Sequence, residues 1–142
     1  MREILFRGKT EDGKWEYGYP YEIYRNCHTR KVIARPPDAF GKGKYTEIID
    51  ETLSQFTGVT DVSGRKIFEG DIVKFTLVDE IEEETVIDYA SIKYNSEHLR
   101  FYLDWVEFWE TPLIPEDGKE LEVVGNIYDN PELLGGADKD EK

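Results

Sequence analysis

Apolar and polar residues alternate most cleanly between Trp15 and Ile23, where Trp15, Tyr17, Tyr19, Tyr21 and Ile23 take every second place. Successive side chains of a strand point to opposite faces, so this spacing predicts a β-strand with one aromatic face. Its other face carries Glu16, Gly18, Pro20 and Glu22. Pro20 has no N–H to give to a ladder, which puts the strand at a sheet edge or breaks it there. Ahead of it, Ile4 and Phe6 mark a first strand within residues 2–7, and Glu11-Asp12-Gly13-Lys14 a hairpin turn. Behind it, residues 25–45 read as an exposed loop around a short Val32-Ile33-Ala34 strand, and Tyr45 to Ile49 as another strand.

From Gln55 to Phe75 the order of residues is specified more tightly. Gly58, Gly64 and Gly70 recur at intervals of six, with apolar pieces between them too short for helices. Glycine takes the positive φ of tight turns without strain. The stretch reads as turn, short strand, a hairpin turn at Ser63-Gly64, strand, turn, and a β-branched strand from Asp71 to Phe75. Residues 86–94 and 99–109 then read as paired central strands, with Trp105, Phe108 and Trp109 in the core. Residues 121–128 make a last strand, and Asn130-Pro131-Glu132-Leu133-Leu134 suits one helical turn.

Charge changes the picture more than composition does. The formal net charge is −13. Residues 1–49 hold ten Lys/Arg against seven Asp/Glu, and residues 50–142 hold eight against twenty-four. That a chain is acidic over two thirds of its length argues against a general nucleic-acid binder, because phosphate contacts need a basic surface. The asymmetry serves solubility, a basic partner, or a head-to-tail contact between copies. One Cys and two His argue against an internal disulfide and against a Cys/His zinc site. No apolar run approaches the ~20 residues of a membrane span, and a cytosolic protein is expected.

Three pieces of the chain together resemble the YopX-like proteins of phages and prophages. They are Phe6-Arg7-Gly8-Lys9 with Trp15-Glu16-Tyr17-Gly18, the middle stretch at Gln55 to Gly58, Asp61 to Gly64 and Ile67 to Lys74, and Val124-Gly125-Asn126-Ile127-Tyr128-Asp129-Asn130-Pro131 with Glu132-Leu133-Leu134. The resemblance implies a mostly β protein with an SH3-like barrel, working in the cytoplasm of a bacterial host, and no established activity. It carries over no catalytic residue and no cofactor. The organisation expected is all-β: an N-terminal β section over 1–50, the barrel over 51–134, and a disordered tail over 135–142.

Candidate chemistry is sparse. No phosphate loop, dinucleotide fingerprint, nucleophile elbow or His-Glu-x-x-His occurs, so a non-enzymatic binding module is expected. The acidic run Asp79, Glu80, Glu82, Glu83 and Glu84 is either a solvated hairpin tip or a recognition element for a partner protein with a basic surface. Arg25, Arg30, Lys31, Arg35, Lys42 and Lys44 form the basic stretch, which reads as solvated or as an anion-binding patch. The aromatic row is expected to be a core face; the alternative is a stacking platform for single-stranded nucleic acid. Asp71 opens a buried strand, and an Asp after Gly caps turn N–H groups. Homo-oligomer formation stays open.

Overall fold

The computed structural model describes residues 3–35, 44–79, 81, 83–106, 109–113 and 120–134, and these are β throughout apart from single turns of helix. They fall into two compact units that divide at Phe56/Thr57.

In the N-terminal unit, β1 (Phe6–Lys9), β2 (Trp15–Arg25), β3 (His28–Arg35), β4 (Lys44–Glu47) and the start of β5 (Ser54–Thr60) lie antiparallel in the order β4-β3-β2-β1-β5. The turn between β1 and β2 forms as its Asp-Gly pair predicts, with Gly13 at φ 90° and Thr10 N–H donating to the Lys14 carbonyl at 2.8 Å. β2 pairs β1 through Gly18 and β3 from Tyr19 onward. Pro20 therefore lies where β1 has run out and β2 is an edge on that side. Of the expected loop over 25–45, the described residues are mostly strand instead. Asn26 and Cys27, at φ 51° and 66°, make a two-residue hairpin turn that carries the chain directly into the eight residues of β3. On one sheet face Ile33 and Ile48 are buried. A Cβ on Gly8 would lie 2.4 Å from Ile48 Cδ1, and one on Gly18 2.3 Å from the Ala34 carbonyl oxygen. Gly8 thus admits Ile48 at close range, and Gly18 admits the backbone of the neighbouring strand β3.

The C-terminal unit holds β6 (Lys66–Phe68), β7 (Asp71–Asp79), β8 (Glu84–Asn95), β9 (Arg100–Val106), β10 (Trp109–Pro112) and β11 (Glu122–Asn126). Its antiparallel sheet runs β10-β9-β8-β7-β11. Val73, Ala90, Ile92, Phe101, Leu103 and Val123 share one face by register and form the core with Val59, Ile67 and Leu121. Lys74–Glu122 and Lys93–Asp104 ion pairs line the other face, at 3.3 and 2.6 Å. The described strands make open sheets and no closed barrel, since β10 pairs only β9 and β11 pairs only β7. Gly58 also departs from expectation. It has φ 92° but sits inside β5, so the chain does not turn there. Phe108, the side chains of Trp105 and Trp109, and the tail lie outside what is described.

Candidate functional site

The polar residues of the Gln55–Phe75 stretch are committed to the backbone around them. Asp61 Oδ1 accepts the Ser63 and Arg65 N–H groups at 2.9 and 2.8 Å, and Oδ2 accepts Val123 N–H at 2.9 Å. One carboxylate thus shapes the turn and ties it to β11. Burial pushes the Asp61 carboxyl up, but its bonds from Val123, Arg65 and Ser63 outweigh that and hold it below the usual carboxylate range. Asp71, buried, accepts Phe68 N–H at 2.7 Å, the turn-capping role its sequence position predicts. Thr57 Oγ1 donates to the Ile67 carbonyl and accepts Val59 N–H. Gly64 and Gly70 take φ 84° and 89° in the turns that these side chains frame.

The outward-facing chemistry lies elsewhere, in two places. The first is the β7–β8 hairpin. The β11 ladder stops at Lys74 and the β9 ladder at Ser91, so among the described ladders Phe75–Asp79 and Glu84–Asp88 pair only with each other. Five residue pairs make a two-stranded ribbon about 17 Å long. An isolated ribbon is marginal in water, and this one is anchored where Phe75 packs against the core. The acidic run occupies its end. Asp79 pairs with Glu84, Glu83 and Glu84 are exposed, and Ile81 is 92% exposed. Glu80 and Glu82 lie outside the described residues. At the root of the ribbon, Val62, Phe75, Ile87 and Leu121 line a cleft of about 220 Å³, together with Glu120 and Glu122. Sequence reading did not anticipate this cleft. Its apolar walls come from four separate stretches of the chain, and only the fold brings them together.

The second place is the aromatic face of β2, and here the core expectation is overturned. Tyr17, Tyr19 and Tyr21 are 44%, 44% and 55% exposed. On the opposite face Ile33 and Ile48 are buried, and Gly8 leaves room there for Ile48. Register adds Tyr45, 66% exposed, which lies across Ala34 from Tyr19. Arg7, buried, stacks on Trp15 at 4.6 Å from the ring centroid.

These geometries match known proteins in one direction. Residues 5–135 match the family described as YopX protein. The chain belongs to the YopX protein family. The crystal structure of protein EF1440 from Enterococcus faecalis is 23% identical, over 94% of this chain and 99% of that one, with a TM-score of 0.55. That likeness concerns the fold. No curated protein matches the chain.

Within this YopX-family chain the basic stretch does not gather in one place. Arg30 and Lys31 are neighbours on β3 and so project to opposite faces. Arg30 Nη1 lies 3.5 Å from Glu47 Oε2, and Lys31 stands directly across from Glu22 in the register. Arg25, Arg35 and Lys44 sit at strand ends with only their backbone described, and Lys42 lies outside the described residues. Among the described residues, no three His, Cys, Asp or Glu side chains gather as metal ligands do. No described helix is long and apolar enough to cross a membrane.

Proposed function

We propose that this chain is a non-enzymatic binding module that docks a partner protein through the β7–β8 ribbon, inside the bacterial host of a phage or prophage. The observation that carries the reading is the ribbon itself. It holds an acidic tip and an exposed Ile81 away from the paired sheet, with an apolar cleft at its root. Acidic side chains on such an arm attract a basic surface and speed encounter. The cleft offers an anchor point for an apolar side chain, roughly 10 Å back along β7 from Thr76 to Asp79. The partner this fits is a basic protein surface that also presents an apolar residue. The carboxylates of the glycine-rich stretch support a binding role over catalysis, since Asp61 and Asp71 already accept backbone N–H groups. The phage setting rests on the family resemblance.

The test is association kinetics with a partner captured from the bacterial host, at two salt concentrations. Glu82, Glu83 and Glu84 are replaced together by Gln. Association is expected to slow several-fold at low salt and to converge with wild type at high salt, as charges beyond the ~8 Å Debye length become screened. Equal association rates at low salt would remove the ribbon as the recognition element.

A further inference from the structure

The tyrosine face of β2 belongs to the N-terminal unit, and the ribbon to the C-terminal one. On it, Trp15, Tyr17, Tyr19 and Tyr21 stand at every second residue, about 6.7 Å apart along the strand. That interval is close to the reach of one nucleotide in an extended strand. Tyr45 adds a ring on β4, across the small Ala34.

Charge is sorted across the same sheet. Register places Arg7 and Lys9 of β1 and Arg30 of β3 on the aromatic face. The acidic residues of β2, Glu16 and Glu22, are on the opposite one. Glu47 is the only described carboxylate on the aromatic side of these strands, and its pair with Arg30 is long, with both side chains more than half exposed. Such a pair contributes little and exchanges readily for a phosphate. Lys9 stands across from Trp15 at one end of the row, and Arg30 across from Ile23 at the other. Residues 1–56 carry ten Lys/Arg against nine Asp/Glu, whereas residues 57–142 carry eight against twenty-two.

We infer that the tyrosine face of β2 is a stacking platform for single-stranded nucleic acid. Bases lie on Tyr17, Tyr19 and Tyr21, and phosphates meet the cations at the two ends of the row. A sheet with exposed rings and few cations binds through stacking more than through charge. Affinity then tolerates sequence and depends weakly on salt.

Labelled twelve-residue dT and rU oligonucleotides, and a duplex of the same length, are titrated with the full chain. Both single strands are expected to bind and the duplex not to, because its bases expose no faces. The logarithm of affinity should fall against the logarithm of salt with a slope of roughly −1.5 to −2, two or three phosphates being neutralised. Tyr19→Ala should weaken binding about 5- to 150-fold, whereas Tyr19→Phe keeps a ring and should bind as wild type does. The Glu82, Glu83, Glu84→Gln variant should lose no affinity for oligonucleotides, so this test and that of the ribbon fail separately. Absence of binding, equal binding of the duplex, or indifference to Tyr19→Ala would overturn the inference. So would a change in the sedimentation of the protein alone on Tyr19→Ala, which would make this face a contact between copies.

Discussion

The Gln55–Phe75 stretch and the Trp15–Ile23 strand divide their work against the usual rule that polar residues act and apolar residues fold. In the first, Thr57, Asp61 and Asp71 are buried and bonded to the backbone, and they hold the turns. In the second, three tyrosines of an apolar row face outward, while Ile33 and Ile48 are buried on the other side, where Gly8 leaves room for Ile48. The difference teaches that the tightly specified part of this chain is its scaffold. The part free to meet a partner looks, on paper, like core.

The largest expected effect breaks the scaffold half of that comparison. Asp61→Ala removes acceptors from Ser63, Arg65 and Val123 at once, and the Val123 N–H is left in a buried setting. At about 1 kcal/mol per bond, with an added penalty for the orphaned donor, it should cost about 3 kcal/mol or more in urea unfolding. The same group sets an acid limit. Its folded pKa lies below the unfolded value of 3.8, so its stabilisation is present above that value. It is lost as pH falls through the folded pKa. Wild type should lose stability below about pH 4 by a step that Asp61→Ala lacks. Acid titration curves of the same shape for both proteins would show that the carboxylate is not charged and bonded as described.

Gly64→Val comes next. At φ 84° a β-branched residue is strained, yet nothing lies within 4 Å of where its Cβ would be. The penalty is therefore backbone strain alone, about 1–2 kcal/mol. Gly64→Asn should recover much of it, because Asn tolerates this region. Equal melting temperatures for wild type and Gly64→Val would mean that the turn relaxes freely.

Much of this was legible in the sequence. Alternation gave β2 and its two faces, Asp-Gly gave the first hairpin, and the positive φ at Gly64 and Gly70 followed from their spacing. The hairpin of β2 and β3 was missed because its turn is Asn26-Cys27, where Asn supplies the left-handed tendency but Cys supplies none. The acidic run was placed at a hairpin tip. That the hairpin outruns its neighbours depends on ladder lengths, which no single strand records. Alternation identifies two faces and says nothing of which is covered. For β2 the deciding signal was glycine: Gly8 marks the side on which Ile48 approaches closely, and Gly18 faces the same way. Reading the glycines of a strand together with its aromatics would have reversed the assignment.

The smallest expected effect is the sharpest test of that reversal. If the tyrosine row serves a partner and not the core, its rings are dispensable for folding. Tyr19 and Tyr21 stand across from Ala34 and Val32, and cross-strand pairs of this kind contribute roughly 0.2–1 kcal/mol each. Threonine keeps the β-branched character that suits a strand. Tyr19→Thr and Tyr21→Thr should each then cost less than about 1 kcal/mol in urea unfolding, with unchanged slope. The two substitutions should nearly add, because side chains that face solvent share little packing to lose twice. A loss above about 2 kcal/mol for either would have the size of a core truncation. That result would return the row to the interior and leave the ribbon as the one outward surface of the two.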